Sequence, residues 1–146
     1  MNTPALAGSW LFWALLSAGF AAMTAIFAKL GVSGINSDFA TFIRTIVVVV
    51  VLAAIVAGTG QWQPIAEISG RTWVFLSLSG LGTGASWLCY FRALKLGDAA
   101  RVAPVDKLSI VLVAMFGVVF LGEKLSSVNW LGVVLVAGGV VLIAYR

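Results

Sequence analysis

Apolar residues run along this chain in five long stretches that are separated by short polar segments. Each stretch is close to 20 residues, the length that an α-helix needs to cross the hydrocarbon core of a bilayer. The pattern therefore predicts an all-α integral membrane protein, a bundle of five transmembrane helices in a single membrane domain over residues 1–146. The predicted spans cover approximately residues 10–28, 39–57, 73–92, 99–121 and 129–145.

The segments between these stretches have the composition of turns and helix caps. They are rich in Gly, Ser, Asn, Asp and Pro, and they cover residues 31–38, 59–64, 95–98 and 122–127. Residues 47–51 are all valine, which favours a strand by propensity. An open sheet edge in lipid would leave backbone groups unpaired, so a helix is predicted there as well.

The composition supports the membrane assignment. Apolar residues make up 62% of the chain and charged residues only 10%, whereas a soluble domain carries about 25% charged residues. A net charge of +4 could indicate a nucleic-acid partner in a soluble protein. Here the cations lie at helix ends or singly within apolar stretches, so the expected partner is the lipid bilayer and no nucleic acid.

The chemistry available to the chain is limited. Cys89 is its one cysteine and it has no histidine, so disulfides, zinc sites and histidine proton relays are not expected, and neither is a metal or cofactor. The loops are too short for a nucleophile with its base or a phosphate-binding loop, so an enzyme is not expected. The N-terminus lacks a basic segment and a cleavage site, and the first stretch is expected to remain as a span.

The loop cations predict the orientation. Five spans place five cations on one face and two on the other: Lys29, Arg92, Lys95, Arg101 and Arg146 against Arg71 and Lys124. The positive-inside rule then puts the N-terminus outside and the C-terminus in the cytoplasm, for a multi-pass protein of the cell membrane. Lys29, Arg92 and Lys95 are interpreted as helix-end anchors that reach the lipid headgroups.

Glycines indicate where two helices can approach closely. Gly80 and Gly84 have GxxxG spacing, and Gly138 and Gly139 lie in the last stretch. Small residues let helix backbones pack against each other in lipid, so these four are predicted packing positions. The alternative, with about equal weight, is that glycine is simply common in membrane helices.

Two ionisable side chains fall well inside the predicted spans, where such groups are costly and indicate function. If Asp98 caps the fourth span, Asp106 lies four residues from the span centre, roughly 6 Å in a helix. Arg44 has a similar depth in the second span. The hypothesis is that Arg44 and Asp106, with Lys107 nearby, line a cavity in which Asp106 exchanges a proton or contacts a cationic substrate.

Two other interpretations of this region stay open. Pro104 could open the helix and leave Asp106 in a first turn, favoured by the helix dipole and by interfacial water. Pro104 is also a candidate helix break that frees carbonyl groups toward a cavity, as in the discontinuous helices of transporters. Trp13, Trp87 and Tyr90 could offer rings to a planar or cationic substrate, although ordinary packing is the favoured role for all three.

Four segments in the second half carry a family resemblance: Gly80–Gly84, Tyr90–Gly97, Phe120–Ser126 and Trp130–Gly132. In this order and spacing they resemble the repeat unit of the drug/metabolite transporter superfamily, EamA type. The first two spans match more loosely, through Phe27–Gly31 and Arg44. Members often have a Glu-Pro pair in the fourth span, where this chain has Ser109 and Ile110.

The resemblance implies one EamA-type five-helix unit and a secondary transporter, an exporter or exchanger of a small metabolite or drug-like compound. Most members carry two such units in inverted topology, and single-unit relatives similar to the small multidrug resistance proteins work as dimers. A homodimer or an oppositely oriented partner is therefore implied, although the cation bias favours one orientation and leaves a parallel dimer open. The alternative functions are a non-transporting membrane subunit and a lipid-carrier flippase accessory.

Overall fold

The computed structural model describes residues 9–145, which form α-helices and contain no strand. The helices are α1 Trp10–Val32, α2 Ser37–Gly58, α3 Gly70–Leu96, α4 Ala99–Asp106, α5 Ser109–Leu121 and α6 Ser127–Ala144, with a 3₁₀ turn at Ile65–Glu67. Together α4 and α5 make one apolar segment, Ala99–Leu121, so five segments are long and apolar enough to cross a membrane. The predicted number and order of spans are confirmed.

The helices extend beyond the predicted apolar stretches by up to four residues, because the last turns of α1 and α3, which carry Lys29 and Lys95, are helical as well. At the start of α2, the Asn36 side chain accepts hydrogen bonds from the N–H groups of Asp38 (2.8 Å) and Phe39 (3.2 Å). At the start of α6, Ser126 and Asn129 cap each other reciprocally. These side chains satisfy N–H groups that have no partner within the helix, and so define where it begins.

Most apolar side chains in these helices are exposed. Only 6% to 11% of the most apolar window of each span is buried within the chain. Exposed apolar surface of this extent is unfavourable in water but not in lipid, where only the backbone polar groups must be satisfied. The exposure is therefore what a membrane-spanning chain requires.

The chain divides into two compact units, and one of them comprises residues 27–96. In this α2–α3 unit, the last turn of α1 precedes α2, and α2 packs along α3. Its tightest packing surrounds Val32, Phe91 and Leu94, which retain 1%, 3% and 0% of their exposure. All three lie where α1 and α3 end and α2 begins.

Three cations near this core bind protein groups. Arg92 forms a bidentate ion pair with Asp38, with nitrogen to oxygen distances of 2.9 and 2.7 Å. Lys29 donates to the carbonyl of Leu94, and Lys95 donates to the carbonyl of Ile35, both at 2.7 Å. These cations tie helix ends together, and their predicted contact with lipid headgroups stays a prediction. Arg146, counted for the orientation, lies outside the described residues.

The other unit contains the described part of α1 up to Ile26 and the residues from Gly97 onward. In this α4–α6 unit, α6 packs against both α4 and α5. Arg101, in the first turn of α4, donates a hydrogen bond of 3.2 Å to the carbonyl of Ala144 at the end of α6. That contact supplies a donor to a carbonyl at the C-terminal end of α6, where helix carbonyls lack partners in their own helix.

Candidate functional site

Arg44 lies in the interior of the second span, on one face of the α2–α3 unit. It is the eighth residue of α2, roughly 10 Å along the helix from Ser37. Its guanidinium carbon stands 4.1 Å from the centre of the Trp87 ring and 5.5 Å from that of Phe91. This is cation–π geometry, which stabilises a charge more strongly when water is excluded. The structure thus brings together two of the predicted site residues, Arg44 and Trp87.

The register of α2 against α3 explains this contact. The Asp38–Arg92 ion pair joins the start of α2 to the end of α3, so the two helices run antiparallel. Arg44 lies six residues after Asp38, and Trp87 lies five residues before Arg92. These separations correspond to rises of about 9 and 7.5 Å from the ion pair, which places the two side chains at similar heights.

Tyr90 belongs to the same neighbourhood. It is half-buried on α3, and its ring meets that of Phe91 edge-on with centroids 6.5 Å apart. We refer to Arg44, Trp87 and Phe91 as the arginine cluster. Trp13, by contrast, belongs to the other unit, is 58% exposed and contacts Phe12 edge-on.

Within residues 27–96, aromatic rings rather than carboxylates surround the Arg44 charge. That unit contains two acidic residues, Asp38 and Glu67. Both carboxylate oxygens of Asp38 accept hydrogen bonds from Arg92. Glu67 lies in the 3₁₀ turn beyond the opposite end of α2. Contact with an aromatic ring does not use the N–H donors of a guanidinium.

The fourth span is interrupted between α4 and α5, at Lys107 and Leu108. There the helical i to i−4 bonding gives way to i to i−3 bonds: the N–H groups of Lys107 and Leu108 donate to the carbonyls of Pro104 and Val105, both at 3.0 Å. Pro104 itself lies inside α4, three residues before the interruption, and lacks an N–H donor. The interruption is therefore a short 3₁₀ turn. It does not free the carbonyls of Pro104 and Val105 toward a cavity, because both accept hydrogen bonds.

Asp106 and Lys107 lie at this interruption. Asp98 occupies the N-cap position of α4, as predicted, and α4 ends at Asp106, its eighth residue. The Lys107 ammonium stands 3.3 Å from the Asp106 carboxylate, and the Asp106 side chain is 34% exposed. Asp106 is therefore in the last turn of α4 and not in its first turn, and Lys107 and Leu108 separate it from α5.

Glu123 is a polar group near a span end that the sequence interpretation did not select. Helix α5 ends at Leu121 and is capped by Gly122, whose φ of +69° suits glycine. The chain then turns back so that the Glu123 N–H donates to the Gly117 carbonyl at 3.0 Å. The Glu123 carboxylate covers Gly117, because a Cβ at that position would lie 2.5 Å from Oε2. A helix-ending glycine followed directly by an acid is the sequence signal that could have found it.

A groove of about 370 Å³ lies beside this carboxylate, between α5 and α6. Apolar side chains line most of it, including Ile110, Val113 and Val133, while Glu123 and Asn129 supply polar groups. The groove thus combines apolar walls with one carboxylate at the end of the span.

Gly117→Ala tests the contact between Gly117 and Glu123. We expect it to lower the free energy of unfolding by about 1 kcal/mol, because the added methyl must displace the carboxylate. Thermal unfolding in detergent measures the effect. In a Glu123→Ala background the penalty should disappear, since the displaced group is absent. An equal penalty in both backgrounds would show that the carboxylate does not occupy this position.

The four predicted packing glycines have open space around them in their own units. A Cβ added at Gly80, Gly84, Gly138 or Gly139 would meet no heavy atom of its unit within 4 Å, apart from the local helix. These glycines therefore do not mediate close helix contacts inside either unit. Their role in packing stays a prediction for other helices.

Five apolar spans define a multi-pass membrane protein, and Arg44 and Asp106 lie well inside two of these spans. Residues 8–145 match the EamA-like transporter family, and the chain belongs to that family. The predicted family resemblance is confirmed.

Two relatives are named as transporters. One, "Uncharacterized transporter in cobO 3'region" of Sinorhizobium sp, is 74% identical over 136 residues, covering 93% of this chain and 96% of the relative. The other, "Uncharacterized transporter YxxF" of Bacillus subtilis (strain 168), is 25% identical over 142 residues, covering 97% of this chain and 44% of the relative. No solved structure matches the chain.

Proposed function

We propose that this protein is a secondary transporter that exports or exchanges a small metabolite or drug-like compound, and that it works as a dimer or with a partner unit. The observation that carries the proposal is the Asp106–Lys107 pair at the interruption of the fourth span. Charged side chains inside a membrane are retained for function, and interrupted helices in transporters hold coupling ions and substrates.

The interruption supports a moving part as well as a binding site. A 3₁₀ turn in mid-span is a point at which α4 and α5 can change their relative angle with little loss of hydrogen bonding. Asp106 lies at that turn, so a change in its charge acts where the helix bends. Proton binding by Asp106 would in this way be coupled to the alternation of access across the membrane.

The assembly follows from where transporter sites form. In two-repeat transporters the substrate lies near the mid-plane, between the repeats. This chain contributes one five-span unit, and it covers 96% of a relative that is named a transporter but 44% of another. We therefore infer that a second unit, most simply a second copy, completes the substrate route.

The cation distribution supports one orientation in the cell membrane, with the N-terminus outside and the C-terminus in the cytoplasm. A parallel dimer satisfies that bias directly, whereas an inverted pair requires insertion in both orientations. Reporter fusions to the C-terminus distinguish these assemblies by showing one orientation or two.

Reconstitution of the purified protein alone tests the proposal. Liposomes are loaded with a defined panel of isotopically labelled amino acids, organic acids, sugar phosphates and amines, and exchange with unlabelled solutes is followed by mass spectrometry. We expect at least one solute to exchange faster than in protein-free liposomes. If folded protein exchanges none of them, the transporter proposal fails and a non-transporting membrane subunit or a flippase accessory becomes the better account.

A further inference from the structure

We infer that Arg44 is the recognition site for an oxyanion, the carboxylate or phosphate group of the transported compound. The inference deepens the proposed function and rests on it, since it names the substrate class. It is carried by the geometry of the arginine cluster, in which an arginine inside the span is stacked on a ring and has no carboxylate partner in its own unit.

The positive charge of Arg44 is not balanced by an acidic residue of its own unit. An arginine placed inside a span is costly and is normally paired with an acid or directed to a water-filled cavity. Within residues 27–96, Asp38 is taken by Arg92, and the Arg44 charge rests against the rings of Trp87 and Phe91. A bound anion would supply the missing negative charge in a setting of reduced water, where such a pair is strong.

The N–H donors of the Arg44 side chain are accessible to a ligand. No side-chain nitrogen of the described residues is both buried and without a hydrogen-bond partner, so the Arg44 donors are not sealed in the protein. The Arg44 guanidinium carbon lies 4.1 Å from the centre of the Trp87 ring, and contact with an aromatic ring does not use the N–H donors. The edge of a guanidinium binds carboxylate or phosphate oxygens through two parallel hydrogen bonds. The Trp87 ring therefore positions Arg44 without occupying the donors that a bidentate anion would use.

The other four cations of the unit differ from Arg44 in their partners or in their position. Lys29, Lys95 and Arg92 donate to protein oxygens at 2.7 to 2.9 Å. Arg71 also stands over a ring, that of Phe75 at 5.7 Å, but it is exposed in the first turn of α3. Arg44 alone among these five combines a position inside a span with a close ring contact and donors that are not sealed in the protein. Arg71 supplies a matched control.

The depth of Arg44 decides between two sources of the oxyanion. Arg44 lies roughly 10 Å along α2 from its first residue, below the level at which lipid phosphates lie. A small soluble anion that enters a cavity can reach it, whereas a headgroup would have to leave the interface. We therefore assign the site to a soluble oxyanion and treat an anionic lipid as an outcome of the test.

The experiment measures thermal unfolding of the purified protein in a non-ionic detergent. The probes are sodium acetate, benzoate and phosphate, each against sodium chloride of matched ionic strength, with tetraethylammonium chloride as the cationic probe. We expect at least one oxyanion to raise the unfolding temperature of the unsubstituted protein and of Arg71→Gln. The rise in unfolding temperature should be absent in Arg44→Gln. It should be reduced in Arg44→Lys, which retains the charge but lacks the two parallel N–H donors of a guanidinium.

Several results would overturn the assignment. They are an oxyanion shift that persists in Arg44→Gln, an Arg44-dependent shift with tetraethylammonium alone, or no oxyanion shift in the unsubstituted protein. If only nanodiscs containing phosphatidylglycerol, and not phosphatidylcholine, give an Arg44-dependent shift, the site binds a headgroup and the assignment fails. Should Arg44→Gln not fold, Trp87→Leu replaces it, and an undiminished shift there contradicts the stacked geometry.

The thermal-unfolding and liposome experiments test the oxyanion site and the transporter proposal independently. An Arg44-dependent oxyanion shift without exchange of any solute in liposomes would support the oxyanion site and contradict the proposal that the protein is a transporter. Exchange of solutes without an Arg44-dependent shift would support the transporter proposal and contradict the assignment of an oxyanion substrate.

Discussion

Replacing Leu94 with alanine is expected to lower the free energy of unfolding by about 3 kcal/mol, a large fraction of the stability of a small domain. Leu94 has no exposed surface and packs in the same small core as Val32 and Phe91. Shortening it leaves a cavity that rigid helix ends cannot fill. Thermal unfolding in detergent or bicelles measures the loss.

Leu96→Ala is the matched control for this prediction. It lies two residues further along α3 and is 89% exposed, so the same truncation opens no cavity. We expect its unfolding temperature to stay within the error of the unsubstituted protein. Equal losses from the two substitutions would show that packing at Leu94 does not stabilise the α2–α3 unit.

Asp106→Asn is expected to reduce transport driven by a pH gradient to the level of protein-free liposomes. The amide keeps the shape of the side chain but cannot take up or release a proton, so the coupling is lost rather than weakened. Solute exchange at equal pH should survive, because exchange needs the substrate route and not net proton movement. A pH-sensitive dye inside the liposomes and labelled solute outside measure the two processes together.

The control for this substitution is Asp98→Asn. Asp98 is the N-cap residue of α4, eight positions earlier, and its side chain makes no capping hydrogen bond. It should retain gradient-driven transport. Asp106→Glu should retain it in part, since a carboxylate is restored at nearly the same place. Full activity in both Asp106→Asn and Asp106→Ala would remove Asp106 from the mechanism.

The spans could be predicted from the sequence because the bilayer imposes one length and one backbone solution on every apolar segment. The contacts of the cations could not, because they depend on how helices meet. Lys29 and Lys95 have the composition and position of headgroup anchors, yet both donate to backbone carbonyls across a helix end. Long flexible stems permit either partner, and only tertiary structure selects one.

The same limit applies to the candidate site. Arg44 and Trp87 were each selected from the sequence, but their contact depends on the register that the Asp38–Arg92 pair helps to define. A break in the fourth span could be predicted from the chemistry of Pro104. Its position at Lys107 and Leu108 could not, because Pro104 lies inside α4 and the hydrogen bonding changes only three residues later.

The position of the Glu123 carboxylate could not be predicted from the sequence for a different reason. It lies just outside an apolar stretch, where an acidic residue is ordinary and suggests only a loop. Its carboxylate returns to Gly117 because Gly122 adopts a positive φ and Gly117 has no side chain to exclude it. Two glycines five positions apart therefore shape this end of the span.

The most direct test of the central claim, that charged side chains inside the spans face a water-filled route, is the accessibility of introduced cysteines. In a Cys89→Ser background, which removes the native thiol, Arg44→Cys and Asp106→Cys are treated in membranes with a small, charged thiosulfonate. We predict that both react, while Val50→Cys, at an exposed apolar position of the second span, reacts only after solubilisation in detergent. Positions 44 and 106 as unreactive in membranes as position 50 would contradict the account.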